Sequence, residues 1–134
     1  MKIDFKIPLS CVACPRPRVT SRGVYYPKRY QEFKKRCVQY MKVLGIQMEK
    51  DKFLHVEYTI VLKRIYQMSV KKYGSGRVFK PSRPDLDNFV KSLNDCMQEA
   101  GMIADDSQIV SFKASKYYGA TSESPVIEMS ITIL

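Results

Sequence analysis

Four aspartates in two tight pairs, Asp85 with Asp87 and Asp105 with Asp106, are the residues of this chain best suited to chemistry. Carboxylates gathered in one place repel one another unless a positive charge lies between them. A hard, oxygen-seeking cation such as Mg²⁺ is the usual answer, and a cation held this way can work on a phosphodiester. The pairs flank one predicted helix over 86–100. Such a helix of about 14 residues spans roughly 20 Å, so pairs at its two ends stay apart. They meet only if the chain after Gly101 turns back along the helix as a strand. A plainer reading is also open, in which aspartates at a helix start act as caps and dipole partners. Lys91 follows Asp87 by four residues and Asp95 follows Lys91 by four, so the three share a face. That row is either a surface ion-pair ladder or part of a site, with Asp95 in a structural or supporting role.

Charge is distributed unevenly along the chain. Its 134 residues carry 23 Lys and Arg against 13 Asp and Glu, a formal net charge of +10. Residues 1–80 hold 19 basic and 5 acidic residues, while 81–134 hold 4 and 8. A basic body with an acidic focus suits a protein that cuts a polyanion. The basic part attracts a phosphate backbone and the acidic part holds the metal. A binding protein without catalysis would keep the basic part and need no acidic cluster.

The run Arg83-Pro84-Asp85-Leu86-Asp87-Asn88, followed by Lys91, Asp95, Gly101 and Asp105-Asp106-Ser107-Gln108, resembles the RusA family of Holliday-junction resolvases. The run Pro15-Arg16-Pro17-Arg18-Val19-Thr20 with Tyr26-Pro27-Lys28 resembles the phage-type branch of that family. The resemblance covers most of the chain in order. It implies a Mg²⁺-dependent endodeoxyribonuclease, with Mn²⁺ able to substitute, that cuts branched DNA such as four-way junctions. Asp85, Asp87 and Asp106 would be the main metal ligands, assisted by Asp105. Lys91 would counter the charge that builds on the phosphate or the leaving oxygen. Symmetrical cutting of a four-way junction needs two active sites, so the resemblance also implies a C2 homodimer. The same site chemistry would serve a nuclease on flap or single-stranded DNA.

Length sets the expectation of one domain, 1–134. No apolar run approaches the roughly 20 residues that span a bilayer. Asp4, Lys6 and Pro8 interrupt any signal-peptide core near the start, so the expected location is the cytoplasm of a bacterium or a phage host. Cys11 and Cys14 form one Cys-x-x-Cys, but Cys37, Cys96 and the lone His55 stand apart. A structural zinc site wants a second closely spaced ligand pair, so reduced thiols are expected.

The elements that must position the aspartates follow from periodicity. Residues 2–9 alternate as a half-buried strand. Residues 10–27 read as a loop whose Arg16, Arg18 and Arg22 suit phosphate contacts or a solvated surface. Residues 28–48 read as an amphipathic helix with Tyr30, Phe33, Cys37, Tyr40, Met41, Leu44 and Met48 inward. Residues 53–65 alternate again, with His55 on the polar side. Residues 66–84 carry Lys71, Lys72, Arg77, Lys80 and Arg83 around Gly74-Ser75-Gly76, with Tyr66, Tyr73 and Phe79 interleaved. Composition fits a basic arm that orders on nucleic acid, whose aromatics could stack on unpaired bases, or an ordinary hairpin turn. Strands are expected over 108–118 and 125–133. The order β-α-β-α-β-β, with room for an extra hairpin after residue 62, predicts an α+β fold in which a mixed sheet packs against two main helices.

Overall fold

Alternation of Phe5 and Ile7 with Asp4 and Lys6 produces the first strand, β1 (Lys2–Ile7). The computed structural model describes residues 1–134 apart from the Arg18 side chain. After β1 come β2 (Arg18–Thr20), β3 (Gly23–Tyr25), α1 (Lys28–Leu44), β4 (Leu54–Leu62), α2 (Val70–Tyr73) and β5 (Val78–Phe79). Then follow α3 (Leu86–Glu99), a 3-10 turn (Asp106–Gln108), β6 (Ile109–Tyr118) and β7 (Val126–Ile133). Without the shortest elements this is the expected β-α-β-α-β-β order, and the class is α+β. Among the described residues no helix is long and apolar enough to cross a membrane. The chain divides into two compact units. One joins Met1–Cys11, Phe53–Arg83 and Ile109–Leu134; the other joins Val12–Lys52 and Pro84–Gln108.

The first unit is a mixed five-stranded sheet in the order β1-β7-β4-β6-β5. β4 and β6 run parallel, and every other neighbouring pair is antiparallel. Register places Phe5 and Tyr58 beside Met129, and Ile7 and Ile60 beside Ile127, so these residues share one face. Ile7, Leu54, Val56, Ile60, Ile127 and Ile131 are fully buried there. Burying a side chain of this size contributes about 1.5–3 kcal/mol, which makes this face the stabilising core of the sheet. The alternate positions Lys6, Glu57, Thr59 and Glu128 form the polar face. β5 pairs only with Tyr117 and Tyr118. Among the described residues the outer edge of β6 has no strand partner over 109–115, and Val110 and Phe112 are exposed there.

The segment after β4 departs from expectation. The strand stops at Leu62 instead of reaching 65. A hairpin does not form around Gly74. Ser69 caps the single turn α2 by accepting from the Lys72 amide, and β5 adds an edge to the sheet. Arg64 explains the difference. Its guanidinium donates to the carbonyls of Met68, Gly74 and Gly76 and so folds the arm back on its own stem.

In the second unit α1 ends at Leu44, not at 48. Gly45 stops it with a φ of 67°, a left-handed conformation that glycine adopts without steric cost. The buried stripe is Tyr30, Phe33, Cys37, Val38 and Met41. Tyr40 and Leu44, expected inside, are 40% and 43% exposed. Tyr40 lies about 100° round the helix from Met41, and Leu44 sits in the final, less covered turn. α3 buries Phe89, Val90, Leu93, Cys96 and Met97, as its periodicity predicts, and Gly101 follows it with a φ of 76°. Residues 18–25, expected as loop, form the β2–β3 hairpin with Val19 opposite Val24. Strands of three residues are too short to show a period of two in sequence. All four cysteines are buried thiols, and none is in a disulfide. The hydrogen bond between Cys96 and Cys37, and then burial, pushes the Cys96 thiol well above its ordinary range.

Candidate functional site

Asp85 stands at the N-cap position of α3 with extended backbone angles, φ −67° and ψ 145°. Pro84 before it cannot extend a helix backwards, and the apolar period begins immediately after it. A capping role would have the Asp85 carboxylate accept from the amides of the first turn. It does not: the helix start has no side-chain cap hydrogen bond. The Asn88 amide bonds the Asp85 backbone carbonyl, at 3.1 Å. Asp87 lies in the first turn and is exposed, as is Asp85. A carboxylate near a helix N-terminus is favoured by the dipole, typically by about 0.3–1 kcal/mol. That modest term leaves both side chains free to bind something else.

Lys91 is exposed one turn further along α3. Among the described residues it makes no ion pair with Asp87 or Asp95, so the ladder that the spacing allowed does not form. The acid on this helix that does pair is Glu99, held by Lys34 of α1 at 3.1 Å. Asp95 is half-buried and one of the charges that push the Tyr30 phenol up, behind burial and the Cys14 hydrogen bond.

Asp105 and Asp106 sit at the opposite end of α3. Gln98, in the last turn, accepts from the Asp106 amide at 3.2 Å. Gln108 is buried and holds the turn from both sides. Its Oε1 accepts from the amides of Ala104 and Asp105, and its Nε2 donates to the carbonyls of Glu49 and Lys52. Ser107 donates to the Asp105 carboxylate and holds its pKa below the ordinary range, although that group is fully exposed. Gln108, like Gln98, holds the turn in place, a role that the sequence did not assign to either. A buried amide needs all its partners, but nothing in the sequence tells such a glutamine from a surface one.

The expected convergence of the two pairs therefore fails within one chain. The chain does not double back along α3. It turns at the helix's far end, so about 20 Å of helix separates Asp85 and Asp87 from the Gln98-bound turn. Among the described residues no group of three or more His, Cys, Asp and Glu side chains is gathered as a metal site. Each pair has the right donor chemistry for a hard cation, and neither alone supplies a full ligand set.

The basic residues have unequal surroundings. Arg16, Arg22, Lys71, Lys72 and Arg83 are exposed, and the Arg18 side chain lies outside the described residues. Arg77, expected among the phosphate contacts, is engaged within the chain. It is held by Glu123 at 2.8 Å and Glu128 at 2.7 Å, and Glu128 also pairs with Lys6. Those two carboxylates push the Arg77 pKa up and are themselves held below the usual carboxylate range. Lys80 lies over the Tyr118 ring and bonds Ser82 at 2.7 Å. His55 bonds Ser111 across the strands through Nδ1 at 2.8 Å, consistent with a place on the sheet's polar side.

Fold and site together define a strongly basic α+β protein that presents solvent-facing carboxylates at both ends of one helix. The family model described as Endodeoxyribonuclease RusA matches residues 8–132, and the chain belongs to that family. The chain is similar to the Uncharacterized protein YqaN of Bacillus subtilis (strain 168), 38% identical over 61 residues, which is 46% of this chain and 40% of that protein. It is also similar to the Crossover junction endodeoxyribonuclease rusA of Lactococcus phage r1t, 46% identical over 54 residues, which is 40% of this chain and 39% of that protein. The chain thus spans about two-fifths of the length of the curated relatives it matches.

Proposed function

We propose that this chain is a Mg²⁺-dependent, structure-selective DNA endonuclease that resolves four-way junctions as a C2 homodimer. The observation that carries the reading is the state of Asp85 and Asp87. Both are exposed, and Asp85 does not make the capping bond that would explain its position. Family membership and the similarity to a phage crossover junction endodeoxyribonuclease support the substrate class. Asp85, Asp87 and Asp106 would bind the metal, with Asp105 assisting. When bound, Mg²⁺ would polarise the scissile phosphate and lower the pKa of a coordinated water. Lys91 would oppose the charge that develops on the phosphate. Arg16, Arg18, Arg22, Lys71, Lys72, Lys80 and Arg83 would bind flanking phosphates. Arg77, already held by two carboxylates, is left out of that set.

A single chain offers the two carboxylate pairs separately, so a second copy would have to supply the missing pair. The unpartnered edge of β6, with Val110 and Phe112 each 56% exposed, is a surface that a second copy could cover. Incubation with a synthetic four-way junction, a duplex and a single strand, each with and without Mg²⁺, tests the reading. Paired incisions in the junction alone, dependent on the metal, are expected. Junction affinity should fall by about 10³-fold or more between 50 and 200 mM salt. Cleavage that persists in a chelator, or equal cutting of the duplex, would overturn the proposal.

A further inference from the structure

The short edge formed by β5 and the end of β6 carries an aromatic pair that the endonuclease reading leaves unused, beside Lys80, which that reading counts among the phosphate contacts. Phe79 and Tyr117 are register partners, and their rings stack with centroids 4.8 Å apart at 23°. Phe79 nonetheless remains 68% exposed. A parallel stack covers one π face of a ring, so the other face of Phe79 is open to solvent. On the opposite side of the same two-stranded edge lie Lys80, Tyr118 and Ser82. Their polar ends stand within hydrogen-bond reach of one another, at 2.7 to 3.3 Å. Lys116 reaches the Ser82 carbonyl at 2.8 Å. Glu123 and Glu128 are matched by Arg77 and Lys6, two carboxylates to two cations, which leaves Lys80 and Lys116 as the excess charge of this edge.

We infer that Phe79, backed by Tyr117, is a stacking platform for an unpaired nucleobase, and that Lys80 and Lys116 attract the phosphates of the same strand. The inference deepens the junction-cutting reading and rests on it for the source of the strand. An apolar peptide would also cover Phe79, but it would gain nothing from two ammonium groups across so narrow an edge. An unpaired nucleotide uses both features, because every base has a π face and every link a negative charge. Duplex DNA, with its bases stacked on each other, would use only the cations.

The chain contains no tryptophan, so Phe79→Trp gives a single reporter. Phe53→Trp is the control, because Phe53 is 63% exposed and lies just before the opposite end of β4. Titration with an oligothymidylate should quench the Phe79→Trp emission strongly and the control weakly. Phe79→Ala should bind the oligothymidylate and a four-way junction about tenfold more weakly, in line with the loss of one stacked base, and bind a blunt duplex as the parent does. Equal quenching of the two tryptophans, or a Phe79→Ala protein that binds the oligothymidylate normally, would overturn the inference. A change in sedimentation of Phe79→Ala without DNA would also overturn it, by making Phe79 part of a contact between copies. Failure of the parent to cut junctions would sink the endonuclease reading and leave the oligothymidylate result standing.

Discussion

Among the residues, Asp87 separates a catalyst from a binder most cleanly. Asp87→Asn keeps the size of the side chain and its ability to accept a hydrogen bond, so the first turn of α3 should survive. The modest dipole term is all that the helix loses. A metal held by Asp87, in contrast, would lose one of its charged ligands. Junction cleavage should fall by orders of magnitude, while junction binding persists or tightens because one repulsion against the phosphates is gone. Asp85→Asn should behave alike, since its side chain caps nothing. Lys91→Ala should abolish most cleavage without that gain in binding. Gel-shift and cleavage assays on one junction read both quantities. An Asp87→Asn protein that folds, binds and cuts at the parent rate would reduce the pair to a surface feature of the helix start.

Among the elements, the arm between β4 and α3 shows how similar residues come to play different parts. Arg77 holds Glu123 and Glu128 with both carboxylates less than a third exposed, whereas Lys71 and Lys72 stand on the exposed turn α2. Arg77→Ala should therefore lower the melting temperature and leave two partly covered carboxylates facing each other. The Lys71→Ala, Lys72→Ala double variant should leave melting nearly unchanged, since exposed charges add little to stability, and should weaken junction binding. Thermal melts beside binding titrations check both, and the reverse pattern would return Arg77 to the DNA surface. The sequence could not make this division, because all three residues lie in one basic stretch and Glu123 and Glu128 are more than forty residues away. What it could show was periodicity. Phe89, Val90, Leu93, Cys96 and Met97 gave α3, and the alternation through Val56, Tyr58 and Ile60 gave β4. It missed the β2–β3 hairpin, whose strands are too short for a period, and the clasp of Arg64 on three carbonyls, which is set by loop geometry. Of the site, the residue types were legible and the distances were not. Two pairs 18 residues or more apart in sequence read equally well as converging or as opposite ends of a helix, and the turn fixed by Gln98 and Gln108 decides for the ends.

For the whole molecule, that separation makes a prediction about subunits. If each metal site takes Asp85 and Asp87 from one chain and Asp105 and Asp106 from another, then Asp87→Asn and Asp106→Asn homodimers are both inactive. Mixing the two proteins and allowing subunits to exchange produces some heterodimers. In those, one site combines both substitutions and the other is fully intact: it has an unaltered Asp87 from one subunit and an unaltered Asp106 from the other. The mixture should therefore regain cleavage, and each active dimer, having one working site, should nick one strand instead of making paired cuts. If instead one chain closed its own site by rearranging on DNA, every site in the mixture would still carry one substitution and no activity would return. The test needs only two variants that bind the junction, and denaturing gels of a junction labelled on each strand distinguish a nick from a resolution. Recovery of nicking would place the second copy inside the site. A mixture as inactive as its parts, with subunit exchange confirmed by a tagged chain, would remove the shared site and leave the basic surface as the remaining reason for a dimer.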